Sequence, residues 1–371
     1  MAAPARVLTV NAGSSSLKLR LLGGEDEVEI ERESGAGGDE EALRAELIAI
    51  LDEAGADAAG HRVVHGGAEF EGPTVVDPGV ADELERLADL APLHNPPAVA
   101  AMRALAGLAP DLPTVACFDT AFHATIPAAA ATYAVPEAWR ERWPLRRFGF
   151  HGLSHAYASR RAAELLGRPV AELRLVTAHL GAGASLAAVQ GGRSVETTMG
   201  FTPLEGLAMA TRSGTVDPGL LLWVQRRTGL DAEEMERALD RESGLLALSG
   251  RSGDMREVLA GRDAGDERCR LAFDVYIHRL AAGVAAMAAA MGGLDALVFT
   301  GGVGENSAPV REAAASAVAF LGVDIDRAAN EAASGDALLS PLDAAAATLL
   351  VRAREDVEIA RQVRATLADR R

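Results

Sequence analysis

The chain has 371 residues, 49% of them hydrophobic, and a formal net charge of −17. That length predicts about two domains, and the acidic balance argues against a general nucleic-acid or anionic-membrane partner, so an anionic ligand needs a local pocket of positive charge. Two cysteines, Cys117 and Cys269, make no disulfide framework and suit a reducing cytoplasm; Met1 to Arg6 lack the apolar core of a signal peptide, and the longest apolar stretch, Leu280 to Met291, is too short to span a bilayer.

In chain order, Val7–Val10 and Leu17–Leu22 read as strands joined by the small-residue turn Asn11–Ser16, a β-hairpin with a Gly/Ser tip. Residues 25–41 are acidic and glycine-containing, an exposed loop or weak strand. Glu41–Glu53 has helical spacing and closes at Gly55. Arg62–Val64 reads as a buried strand running into the turn His65-Gly66-Gly67. Helical spacing follows over Asp82–Leu90 and Pro97–Leu108, and Thr114–Phe118 leads as a strand into Asp119.

The second half repeats the opening device. Leu175–Ala178 and Leu186–Gln190 are strands around the turn His179–Ser185, and Gly191-Gly192 turns into Arg193–Glu196. Strand, small-residue turn, strand therefore stands near the start of each half, which predicts two related domains. Asp295–Thr300 is a strand feeding Gly301–Asn306 and a helix, and Glu355–Ala368 is an amphipathic helix. Glycine turns of this kind are ordinary hairpin chemistry one at a time. Three in one chain, two of similar build, point to phosphate binding.

The phosphate site is not a P-loop, because no Gly-x-x-x-x-Gly-Lys-Ser/Thr run is present. Gly302–Asn306 lacks the later glycine of a dinucleotide fingerprint, which argues against a Rossmann dehydrogenase. Lys18 is the only lysine among 36 basic residues. A compact ammonium beside a turn of small residues is a point charge suited to a phosphate.

Asn11-Ala-Gly-Ser-Ser-Ser-Leu-Lys18 and Phe148-Gly-Phe-His-Gly-Leu-Ser-His155 resemble the two signature segments of the acetate kinases. Gly60–Gly67, Leu90–Pro97, Phe118–His123, Glu196–Met209, Thr211-Arg212 and Gly302–Asn306 extend the resemblance in order over nearly the whole chain. The resemblance implies reversible phosphoryl transfer between ATP and acetate, giving acetyl phosphate and ADP with Mg²⁺, Mn²⁺ being the alternative metal. It implies an α/β fold of two duplicated actin/sugar-kinase/Hsp70-like (ribonuclease H-like) domains around a cleft. Residues 1–121 would form the first domain, with helix 357–371 packing back on it, and residues 122–356 the second. A cytoplasmic homodimer without nucleic-acid or membrane partners is implied as well.

Carried over residue by residue, the resemblance makes Asp119, His151 and Arg212 the catalytic group. Arg62 becomes the clamp on the substrate carboxylate, and Val64, Leu93, Phe150 and Pro203 the pocket for its methyl. Nucleotide contacts fall on Lys18, His179, Leu180, Gly181, Ala182, Gly183, Asp254, Met255, Arg256, Gly302, Val303, Gly304, Glu305 and Asn306. Metal ligands fall on Asn11 and Glu355. Taken as bare residues, Arg62 could be a strand-end salt bridge and Asp119 a helix N-cap. His151 and His155 have the spacing of zinc ligands on a helix, but no His-Glu-x-x-His pattern accompanies them. Asp119 is left as base or positioner; an acetate carboxylate, ionised near neutral pH, requires no base.

Two departures from the family pattern stand out. Where the family reads Pro-Thr-Asn-Glu-Glu, this chain has Arg352-Ala353-Arg354-Glu355-Asp356, so Asp356 competes with Glu355 as metal ligand. Where the family reads His-Leu-Gly-Asn-Gly-Ser-Ser, this chain has Ala182 and Ala184, losing an amide and a hydroxyl from the phosphate loop. The segment between Gly23 and His61 is also shorter than usual.

Overall fold

Alternation of apolar and polar residues starts the first sheet. Along β1 (Val7–Ala12) and β2 (Leu17–Leu22) the pairs run from Val7 opposite Leu22 to Ala12 opposite Leu17. Leu8, Val10, Leu17, Leu19 and Leu21 point to one side and are buried under helices Glu40–Ala54 and Asn95–Leu108. Asn11, Lys18 and Arg20, at the opposite parity, share the other face with Val7. On that face Val7, Ala58, Val115 and Cys117 pack with Val357, Ile359 and Val363 of the C-terminal helix Glu355–Ala368. The structure is a computed structural model and describes residues 4–13, 16–35, 40–90 and 95–369.

β3 (Val28–Ser34), β4 (Ala58–Val63), β5 (Thr74–Val75) and β6 (Thr114–Phe118) complete this sheet, in the order β3-β2-β1-β4-β6-β5. β1, β4 and β6 pair in parallel, and the β1–β2, β2–β3 and β5–β6 pairings are antiparallel. The second sheet is built from β7 (Arg174–Leu180), β8 (Ala184–Gln190), β9 (Arg193–Thr197), β10 (Ala296–Thr300), β11 (Ala337–Leu338) and β12 (Ala347–Leu350). Read from β9, its order is β9-β8-β7-β10-β12-β11, the first order with six added to every label. Each pairing also keeps its direction. The expected α/β duplication is therefore written in the topology itself.

Two compact units contain these sheets. The first holds the described residues up to Ala124, Phe150–Tyr157 and those from Arg354 on; the second holds Thr125–Gly149 and Ala158–Ala353. This division differs from the boundaries expected at 121/122 and 356/357. Leu153 packs among Val115, Cys117 and Val357, and Arg354, Glu355 and Asp356 pair with groups of the first unit. Those side chains pull both segments back.

Other elements also differ from expectation. Of the loop or weak strand expected for residues 25–41, residues 28–34 form an edge strand, and the strand expected from Arg62 begins at Ala58. The turn after β10 is a short helix, Gly301–Asn306, from its first residue. Gly301 sits at φ 77°, and a Cβ there would press on the backbone of Leu180, so the exit of β10 passes close to the end of β7 only as glycine. The helix Glu267–Ala290 outruns the apolar stretch and is, by length and composition, enough to cross a membrane. Its stripe of Ala272, Phe273, Tyr276, Leu280, Val284 and Met287 is buried.

Candidate active site

At the carboxyl edge of the first sheet, β4 and β6 end in charge. Arg62, on the β4 face toward the C-terminal helix, donates from Nε and Nη2 to the Asp119 carboxylate, with Nη2 to Oδ2 at 2.7 Å. Its Nη1 lies 3.4 Å from Glu355 Oε2, at the first residue of that helix. Asp119 is 1% exposed, and Arg62 and Glu355 are each 19% exposed. Burial works against the guanidinium's charge, but Asp119 and then Glu355 outweigh it and hold Arg62 charged. Burial pushes the Asp119 carboxyl above its usual range, with Glu355 adding to the rise and Arg62 opposing it. Two carboxylates thus share one cation in a partly dry setting.

Glu355 and Asp356 have different partners. Asp356, 6% exposed, accepts from Arg354 Nε at 2.9 Å and meets Arg20 Nη1 at 3.2 Å. Its oxygens are committed to two arginines, whereas Glu355 faces Arg62. Asn11 lies near the end of β1, directly opposite Lys18 on β2.

The chain returns to this edge at residues 150–155. Gly152 N donates to Asp119 O at 2.9 Å, and a Cβ on Gly152 would run into that oxygen, so only glycine brings the segment this close. His151, just before it, sits at φ 56°, in the left-handed region that β-carbon-bearing residues rarely occupy. His151 O then accepts from His155 N, opening the helix Gly152–Leu166. Phe150 is buried edge-on to the His65 ring, with centroids 5.4 Å apart, and its carbonyl lies 3.0 Å from His123 Nε2. Asn95 pins His65 from both sides of its backbone, accepting from N and donating to O. Val64, half-buried, stands between Arg62 and that pinned residue.

The second unit offers a cavity instead of an ion cluster. A pocket of about 680 Å³ is lined by Gly181 and Ala182 of the β7–β8 turn, by Gly253 to Arg256, and by Gly302, Val303 and Asn306 after β10. Asp254 caps the helix Met255–Asp263 and accepts from both Arg256 N and the Arg256 guanidinium. Arg311 braces the loop from behind. It is 1% exposed, and it donates to the carbonyls of Gly304 and Glu305 and to Asn330. Thr211 also lines the pocket, and next to it Arg212 donates from Nε to Asp240 Oδ1 at 2.8 Å.

The sequence profile of the acetokinase family matches residues 40–361. The chain belongs to the acetokinase family. It is 53% identical over 301 residues to the acetate kinase of Synechococcus sp. (strain JA-2-3B'a(2-13)), covering 81% of this chain and 74% of that relative. Among solved structures, Porphyromonas gingivalis acetate kinase matches with a TM-score of 0.90 at 36% identity, over 98% of this chain and 100% of that one. A propionate kinase from Francisella tularensis subsp. tularensis SCHU S4 matches with a TM-score of 0.88 at 34% identity, over 96% and 98% of the two chains.

Within this acetokinase chain, the residues singled out from the sequence fall into two groups. Gly181, Ala182, Asp254, Met255, Arg256, Gly302, Val303 and Asn306 share one pocket, although their three segments are far apart in sequence. His179, Leu180, Gly183, Gly304 and Glu305 flank its loops without lining it. Glu305 instead accepts from Ala353 N at 2.9 Å. Arg62, Asp119 and Glu355 meet in the first unit. Lys18 belongs to the first unit and not to the pocket, its ammonium resting 3.1 Å from Glu33 of β3. Pro203 is in the second unit, where its carbonyl accepts from Arg212 Nη1 at 3.4 Å. Leu93 lies outside the described residues. Sequence reasoning missed Ala210, Leu259, Ser307 and Pro309 as pocket walls, and Asp240 and Arg311 as braces, because none of them stands in a recognisable motif.

Proposed function

We propose that the chain is an acetate kinase, moving a phosphoryl group reversibly between ATP and acetate to give ADP and acetyl phosphate. The observation that carries this reading is Arg62, a guanidinium held charged in a largely buried setting at the carboxyl edge of a parallel sheet. A planar fork in such a place suits a small carboxylate, and Val64 and Phe150 are apolar groups of a size to receive its methyl. An acetate oxygen attacks the γ-phosphorus while the bond to the bridging oxygen of ADP breaks. Acetate is already ionised, so no proton has to be removed.

Catalysis of this kind is positioning plus neutralisation of charge on the moving group. Arg212 and His151 are assigned to that charge, and Asp119 to holding Arg62 and the metal in place. The donors assigned to the metal suit a hard cation: the Glu355 carboxylate and the Asn11 amide offer oxygens of the kind Mg²⁺ and Mn²⁺ take. When bound, such an ion neutralises phosphate charge. The second unit's pocket is assigned to the nucleotide, with Lys18 as an additional phosphate contact. The missing amide at Ala182 removes one donor, a loss of about 1–3 kcal/mol if it contacts charge. Turnover is then slowed without being abolished.

The Francisella neighbour is named a propionate kinase, and a pocket discriminates against one extra methylene by only about 1–3 kcal/mol. Propionate is therefore the second substrate of this reading. An ADP-release assay with acetate, propionate and butyrate, backed by hydroxamate trapping of the acyl phosphate, tests it. Acetate should lead, with propionate behind. A preference for butyrate, or nucleotide binding with no trapped acyl phosphate, would overturn the assignment. The same reading makes the protein a cytoplasmic homodimer without nucleic-acid or membrane partners. Sedimentation as a monomer would count against the assembly.

A further inference from the structure

Arg212 is strapped to the end of a helix that has no core of its own. The helix Ala232–Arg241 starts with a capping box between Asp231 and Glu234, and none of its ten residues is buried. Its last turn is engaged by the segment that carries Arg212. Thr211 Oγ1 donates to Asp240 O at 2.8 Å, Ser213 N to Leu239 O at 2.9 Å, and Ser243 N to Thr211 O at 2.9 Å. The carbonyls that a helix C-terminus leaves without intrahelical partners thus receive donors from residues 211 and 213. The Asp240 side chain takes the residue between them, accepting from Arg212 Nε at 2.8 Å.

We infer that Asp240 is the positioning residue for Arg212, fixing the plane and direction of its guanidinium so that the remaining Nη donors are presented to the transferring phosphoryl group. This rests on the reading of Arg212 as a phosphoryl contact. An arginine has five N–H donors in a rigid fork, and a bond at Nε fixes the plane of all the others. Pro203 O, 3.4 Å from Nη1, supplies a second and longer restraint. The negative end of the helix dipole favours a cation at this place as well. Arg241 is the one other cation paired with Asp240 among the described residues. It stands 3.9 Å from Oδ2 and is 61% exposed, so it competes weakly. Asp240 lies 28 residues beyond Arg212 in the chain and stands in no motif.

Three variants test the inference, each assayed for kcat, for KM of ATP and acetate, and for melting temperature. Asp240→Ala should lower kcat by up to about 100-fold, the loss expected when a catalytic group is misaimed, with both KM values and the melting temperature nearly unchanged. Asp240→Asn, which keeps an oxygen acceptor of the same shape, should retain most of the activity. Arg212→Ala should be severely impaired, and adding Asp240→Ala to it should cost nothing more, because the two act as a unit. Exogenous guanidinium should restore part of the activity to Arg212→Ala but not to the double variant. Unchanged kcat in Asp240→Ala beside an inactive Arg212→Ala overturns the positioning role. So does a kcat loss that comes only with a lowered melting temperature, or equal rescue of the single and double variants. Full activity in Arg212→Ala overturns instead the reading on which the inference rests.

Discussion

Thr9 and Thr177 hold the same place in the two sheets. Each lies three residues before the end of the strand that opens its hairpin, and each hydroxyl donates to a carbonyl of the next strand, Arg20 O at 3.2 Å and Ala187 O at 3.5 Å. From that register the units can be compared position by position. Val10 pairs with His61 on β4, and Ala178 with Phe299 on β10. The next positions are Arg62 in the first unit and Thr300 in the second. Across the following strand, His61 pairs with Ala116 and Phe299 with Leu350, which sets Asp119 against Ala353. The backbone frame delivers both pairs to the carboxyl edge of a parallel sheet, where ligands of such folds bind. One unit fills that edge with a buried ion pair, and the other leaves it small and uncharged next to a pocket. Shared topology determines where chemistry can sit, and a few side chains decide which chemistry it is.

Making the first unit resemble the second should have the largest effect. Asp119→Ala copies Ala353 and strips Arg62 of its two-point partner. Activity should fall by at least about 10²-fold, and the denaturation midpoint should drop by the equivalent of about 3 kcal/mol for a broken buried pair. Normal ADP release from this variant would break the comparison at its centre. In the second unit the corresponding vulnerability is Arg311, whose guanidinium is disfavoured by burial yet, among the described residues, meets only carbonyls and Asn330. Arg311→Met leaves those buried acceptors without donors and should destabilise by on the order of 3 kcal/mol. Thermal melts with and without ADP check it, and the nucleotide KM should rise.

A third test uses pH. His61, where the second unit has Phe299, is buried with neither ring nitrogen hydrogen-bonded among the described residues, and burial lowers its pKa from 6.5 to about 3. The unfolded chain therefore takes up the proton first as pH falls. The stability His61 allows is complete above pH 6.5 and is lost progressively toward pH 3, about 2 kcal/mol of it between pH 7 and pH 5. His61→Leu should remove that portion of the acid sensitivity in urea titrations at the two pH values, and an unchanged slope would remove His61 from the account. The smallest effect is expected at Lys18, whose ion pair with Glu33 is over a third exposed on both sides. Lys18→Met should change stability by less than about 1 kcal/mol. A large rise in the ATP KM would then report a nucleotide contact and not a folding defect.

Much of this was legible in the chain itself, for identifiable reasons. The hairpins around Gly13 and Gly181 announce themselves because alternation and small-residue turns are local signals. The C-terminal helix was readable from its apolar stripe. The loops at 179–183, 254–256 and 302–306 could be named as one kind of site, and Gly181, Ala182, residues 254–256, Gly302, Val303 and Asn306 line one pocket. β12 was not legible, since it follows an alanine run whose intrinsic preference is helical and is held as a strand by pairing with β10. β3 was underestimated because its acidic residues suit an edge strand more than they advertise one.

Local order, then, could be read from spacing and residue type, because a strand, a turn or a cap is decided among neighbours in the sequence. The choice of partners could not. Asp356 and Glu355 are neighbours of like chemistry in the sequence, but Arg20 and Arg354 hold the first and Arg62 the second. Asp240 and Arg311 carried no signal, because what matters about them is an atom tens of residues away along the chain or a carbonyl that any residue would supply. Hydrogen bonds and ion pairs are satisfied by proximity in space, and only packing of the two sheets with their helices brought those groups within reach.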